Sequence, residues 1–156
     1  MLRVTRKTLL ALEAVTDVAY NSRPNPVRAR DITRRQGVPQ RYLEQVMQQL
    51  VHVGILKGVR GPQGGYVLAR ERRRITAGDV VRAVARLEIE DEPKFTDKSD
   101  LGKLVVHPLW KNMEQQLLEG LDGISIEDLC QKAGQLRIGV QGDEKSEPQK
   151  GTDYSI

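Results

Sequence analysis

Apolar and polar positions along the first half of the chain alternate with helical periods broken by Gly and Pro. Over residues 5–20, Leu9, Leu12, Val15 and Ala19 recur at spacings of three and four, which predicts a helix. The run 21–26, rich in Asn and Pro, ends it. After an extended piece at Val27 and Arg28, residues 29–36 read as a short helix stopped by Gly37. Pro39 then opens a second helix that runs to Val53 before Gly54. Its stripe is Leu43, Val46, Met47, Leu50 and Val51; Gln40, Arg41, Glu44, Gln45, Gln48 and Gln49 occupy its other faces.

Residues 55–59 and 66–69 predict two strands, and the tip between them, Arg60 to Gly65, holds three glycines. A basic cluster at 70–74 leads to Thr76, with Asp79 completing a capping box and Ile75 and Val80 at staple positions, so a helix to about Arg86 follows. Residues 88–103 are acidic and without apolar period, the pattern of a loop. Pro108 opens a long helix to about Leu121 whose stripe, Leu109, Trp110, Met113, Leu117, Leu118 and Leu121, is too apolar to face water. Ser125 and Asp128 form a second capping box with Ile124 and Leu129 as staple, and 134–156 reads as a polar disordered tail.

Charge changes this picture. Residues 1–86 carry 17 Lys and Arg against 6 Asp and Glu, a net of +11, whereas residues 87–156 carry 8 against 15, a net of −7. One end is suited to a polyanion and the other is not. No apolar run approaches a membrane span, the basic N-terminus lacks the pattern of a secretory signal, and the lone Cys130 allows no internal disulfide. A cytoplasmic protein with no membrane partner is the expectation.

Helix, short turn, helix and a Gly-rich hairpin inside a basic half make a winged helix-turn-helix, a mainly α fold with a small β wing, followed by a long helix that either packs onto the N-terminal part or meets its own copy in dimerisation. Residues 1–86 form the DNA-binding part, 87–106 an acidic loop, 107–133 this long helix and a short terminal helix, and 134–156 the tail. The second helix would present Gln40, Arg41, Tyr42 and Gln45 to double-stranded DNA: arginine can bond guanine bidentately, glutamine adenine, and a tyrosine hydroxyl phosphate. Arg60 at the wing suits a narrow minor groove. Thr5, Lys7, Arg28 and Gln63 complete the candidate DNA contacts. The same helix pattern also describes a solvated face with Tyr42 partly in the core. A phosphate loop fails because the glycines match neither G-x-G-x-x-G nor a P-loop, and no catalytic constellation emerges, so an enzyme is not expected.

The runs Tyr42-Leu43-Glu44-Gln45, Gly54-Ile55-Leu56, 59–69, 75–84, His107-Pro108-Leu109-Trp110 and 124–129 together resemble the IscR-type (BadM-like) family of bacterial winged-helix regulators. The resemblance spans residues 1 to about 133 and implies a homodimer built around the helix near Pro108, reading a palindrome. Cluster-binding members of that family place three cysteines before the long helix; residues 88–106 here contain none. His107 matches a ligand position of some members but is a poor candidate by itself, and His52 has no partner signature. Cys130 reads as a buried, inert thiol near Lys132. The expectation is a sequence-specific regulator, a repressor, without metal or cofactor. The alternatives are a cluster or redox sensor with unusual ligands, and an interaction module whose acidic half docks another protein or is governed by a small ligand.

Overall fold

The computed structural model describes residues 5–88 and 98–139. They fold as α1 (Arg6–Asn21), α2 (Ala29–Gln36), α3 (Gln40–His52), β1 (Leu56–Val59), β2 (Gly65–Leu68), α4 (Ala77–Glu88), α5 (His107–Asp122) and α6 (Ile126–Gln135). This is the mainly helical fold with a two-stranded wing that the periodicity predicts. Among the described residues no helix is long and apolar enough to cross a membrane.

Thr5 caps α1 through a reciprocal pair with Thr8, whose amide and hydroxyl both engage it. The buried face of α1 is Leu10, Ala11, Ala14, Val15, Val18 and Ala19. Leu9, counted in the predicted stripe, is instead 58% exposed. Three alanines on the inner face let neighbouring helices approach closely, and small residues weigh little in a hydrophobicity pattern. In α3, Leu43, Val46, Met47 and Leu50 are fully buried, but Val51 lies outside the core.

β1 and β2 pair antiparallel with Leu56 opposite Leu68 and Val59 opposite Gly65. Val27 adds a third edge, exchanging both backbone hydrogen bonds with Tyr66 at 2.9 and 2.7 Å. Gly65 sits so close to the Val27 carbonyl that a side chain would have no room.

Both predicted capping boxes form: the Thr76 hydroxyl accepts the Asp79 amide at 3.0 Å, and the Ser125 hydroxyl accepts the Asp128 amide at 3.1 Å. They lie side by side, because Ala77 N–H donates to the Ile124 carbonyl and Ile126 N–H to the Ile75 carbonyl, each at 2.8 Å. Ile75 and Val80 are fully buried, whereas Ile124 is exposed. This stitch returns α6 to the core, where Ile126 and Cys130 pack with α1. The hydrophobic core therefore extends beyond residues 1–86. Arg82 of α4 holds Asp122, the last residue of α5, bidentately at 2.6 and 2.7 Å; Gly78 stands beneath that carboxylate, where any side chain would collide with it.

Two boundaries differ from the expectation. Helical backbone begins at Asp100, inside the stretch read as loop, and passes through one wide turn at Gly102–Val106 before α5. There the His107 N–H bonds to the Gly102 carbonyl, five residues back. Pro108 supplies the reason: its ring cannot donate and would crowd the carbonyl four residues before it, a conflict that a wider turn relieves. Hence Pro108 continues a helix rather than opening one. At the other end, α6 includes Gly134 and Gln135, and the Tyr20 hydroxyl donates to the Ile138 carbonyl at 2.7 Å. The tail read from residue 134 is thus folded as far as this contact; residues 140–156 and 89–97 lie outside the described residues.

Candidate nucleic-acid interface

The turn between α2 and α3 is made by Gly37, whose left-handed backbone (φ 65°) lets its amide bond back to Thr33 at 2.8 Å, followed by Val38 and Pro39. Burial of Leu43, Val46, Met47 and Leu50 fixes the rotation of α3 about its axis. The opposite face then carries Arg41, Gln45 and Gln48, all exposed and spaced as neighbours on one helical face. Gln48 was missing from the candidate contacts although its position seven residues after Arg41 marks it. Arg41 has no ion-pair partner among the described residues.

The other candidates divide by what they touch. Gln40 is exposed but donates its amide to Glu44 at 2.9 Å. Tyr42 is half-buried and packs against the core, so its ring anchors α3 as well as bordering the surface. Thr5 uses its side chain to cap α1, and Lys7 is half-buried beside it. Arg28 donates to the Pro62 carbonyl at 2.7 Å and so braces the wing tip. That role depends on the fold, since 34 residues separate the two. Arg60 and Gln63 are exposed at the tip, where Gly61 (φ 110°) makes the bend and Gly64 donates to the Gly61 carbonyl at 2.9 Å. Behind them, Tyr66 of β2 packs against the core, and burial together with the Glu44 carboxylate pushes its phenol up.

Part of the positive charge of residues 1–86 is used internally. Arg35 grips Asp17 at 2.8 and 2.6 Å. Arg72 pairs with Glu127 of α6, Arg73 with Glu71, and Arg82 with Asp122. Among the described residues, Arg41 of α3 and Arg60 of the wing tip are in no such pair.

On α5, Leu109, Trp110, Met113 and Leu117 are exposed, whereas Leu118 and Leu121 are half-buried. Leu101, Leu104 and Val105 continue the exposed apolar surface ahead of α5. His107 lies exposed in this helix. Among the described residues no three His, Cys, Asp or Glu side chains gather as metal ligands. Cys130 is buried, and burial pushes its thiol up; Arg72 beside it opposes that shift only in part. This arginine, distant in sequence, was absent from the reading that named only Lys132.

A family model described as Rrf2, iron-dependent transcriptional regulator, matches residues 4–132. The chain is 34% identical over 145 residues to the HTH-type transcriptional regulator IscR of Xenorhabdus nematophila, covering 91% of this chain and 87% of that protein. It is 32% identical over 158 residues to IscR of Escherichia coli K12, covering 99% and 96%. Among solved structures it is similar to T. potens IscR, with a TM-score of 0.68, 32% identity and coverage of 88% and 93%. It is also similar to CymR, the global cysteine regulator of B. subtilis, with a TM-score of 0.66, 28% identity and coverage of 85% and 98%.

Proposed function

The chain belongs to the Rrf2 family of transcriptional regulators, and from that premise we propose that it binds an inverted-repeat operator as a homodimer, represses, and does so without an iron–sulfur cluster. The observation that carries this reading is the face of α3. Arg41, Gln45 and Gln48 stand exposed in one row beside a braced wing bearing Arg60 and Gln63. Side chains of these types at the first turns of a second helix match the donors and acceptors of the major groove, and a wing arginine matches a narrow minor groove.

The exposed face of α5 supports the dimer. Four large apolar side chains in succession form a patch that a monomer rarely leaves bare. A second copy that covers it would set two α3 helices across a two-fold axis, which is the symmetry of a palindrome.

The family description names iron, so the donor set matters. Thiolates hold iron–sulfur centres, and this sequence has one cysteine, placed in the core of α6. His107 adds a single imidazole. These residues do not fit a cluster, and DNA binding is read as independent of one. Protein purified without oxygen is expected to lack the visible charge-transfer absorbance of thiolate-bound iron; its presence would reject this part.

The deciding experiment selects DNA from a random pool with the full chain and measures affinity across salt. The expected outcome is an inverted repeat with half-sites about 10 to 21 bp apart and affinity falling steeply with salt. A salt-insensitive complex, or a single half-site bound as tightly as the repeat, would reject it.

A further inference from the structure

α1 and α6 leave a cavity of about 550 Å3 between them, closed at one end by Arg35 and Gln36 of α2 and bordered by Ile138 and Gly139. Its volume falls within the ~300–1,000 Å3 of small-molecule sites. Its walls are apolar where Leu12 faces Leu129 and Leu136.

The polar groups around it are unevenly used. Thr16 has given its hydroxyl proton to the Leu12 carbonyl at 2.7 Å and Tyr20 has given its own to Ile138 at 2.7 Å, so each offers only acceptor lone pairs. Asp17 is neutralised by Arg35. Among the described residues Glu13 has no such partner, and burial together with the Asp17 carboxylate pushes its carboxyl up. Most telling is Gln36: both atoms of its amide are cut off from solvent and neither has a hydrogen-bond partner among the described residues. Buried amides are rarely left so. Rotation of this side chain towards the cavity would give both atoms a partner on any molecule seated there.

We propose that this cavity is an effector site for a small amphipathic molecule with an apolar body and a hydrogen-bond-donating nitrogen head, an amine or a primary carboxamide. The acceptors of Glu13, Thr16 and Tyr20 receive the head, the Gln36 amide pairs with it, and the leucines hold the body. Glu13 disfavours an anionic head at the α1 wall, where the acceptors stand; Lys132 borders the cavity from the exposed side of α6. Gln36 is the last residue of α2, and only Gly37, Val38 and Pro39 separate it from α3, so occupancy bears on the placement of the reading helix. The effector role rests on the DNA-binding function proposed above; occupancy of the cavity does not.

Occupancy is tested by NMR titration of the full chain without DNA, using phenylalaninamide and benzylamine as probes and 3-phenylpropionate as the anionic comparison. The nitrogen probes are expected to shift the Gln36 side-chain amide and the Leu129 methyl signals, and the carboxylate is not. Gln36→Leu and Glu13→Gln should each weaken binding by about tenfold, the loss of one good polar contact. No shift with either nitrogen probe, equal binding of the carboxylate, or unaltered affinity in both variants would overturn the site. Operator affinity is then measured with and without saturating phenylalaninamide, and a change of about fivefold or more is expected. Unchanged affinity would overturn the effector role; absence of operator binding even without the probe would instead reject the regulator reading.

Discussion

The helices α3 and α5 carry similar apolar stripes and reach opposite ends. In α3, Leu43, Val46, Met47 and Leu50 are each 0% exposed. In α5, Leu109, Trp110, Met113 and Leu117 keep between 44% and 60% of their surface in water. A helical period states that a face must be covered and leaves open what covers it. For α3 the cover is α1, α2, α4 and the wing strand β1 of the same chain. For α5 the chain supplies α4 along the side of Leu118 and Leu121 and leaves the other face bare. The buried stripe thus fixes which face of α3 is exposed, and the bare one leaves a face of α5 for another surface to cover.

The sharpest way to break this contrast is to charge the bare face. Met113→Glu with Leu117→Glu should give monomers in sedimentation and lower affinity for an inverted repeat by about 100-fold or more, the avidity lost when two half-sites are no longer linked. Half-site affinity should stay unchanged. A dimer that survives would place the contact elsewhere.

Truncating the buried stripe should act on a different quantity. Leu50→Ala is expected to cost about 2–5 kcal/mol of stability in urea titrations through the cavity it leaves. Leu117→Ala should matter only as far as protein concentration sets assembly. Equal effects at all concentrations would erase the distinction.

A smaller effect is expected at the reader itself. Arg41→Ala should lose about 1–3 kcal/mol on the selected operator and relax preference at one base position in competition gel shifts. Arg60→Ala should instead flatten discrimination by minor-groove width. Equal losses on operator and random DNA would mean that neither side chain reads sequence.

The smallest effect concerns the joint between the two regions. Arg82 holds the Asp122 carboxyl below its usual range, chiefly by direct hydrogen bonding. A depressed folded-state pKa contributes stability that is complete above the unfolded-state pKa and is lost as pH falls through the folded one. Both side chains are more than a third exposed, so Asp122→Asn should cost under about 1 kcal/mol at neutral pH. The difference from the parent should vanish in acid. A deficit that persists there would assign the effect to packing around Gly78 rather than to charge.

What the sequence displays is mostly local. The boxes at Thr76 and Ser125 form because a cap and its partner lie three residues apart, within reach of any reading. The wing is visible in its glycines and α3 in its leucines. Leu9 is misplaced because the inner face of α1 is marked by alanines, which pattern analysis underweights. The brace from Arg28 to the wing, the hold of Arg72 on Glu127 beside Cys130 and the isolation of Gln36 are contacts across the fold, and no spacing announces them. The site residues divide the same way: exposure of Arg41 and Gln45 follows from the helical period, whereas the employment of Thr5 and Gln40 within their own helices appears only once the hydrogen bonds are known.

Eight residues separate Leu101 from Leu109, a count that fits no heptad and would set them about 80° apart around an ordinary α-helix. The wide turn at Gly102–Val106 behaves as an insertion of one residue absorbed within the helix, which leaves seven to count and brings both leucines to the same side. The bare apolar face therefore spans the 17 residues from Leu101 to Leu117, roughly 25 Å at the helical rise, and begins well before the proline that looks like its start.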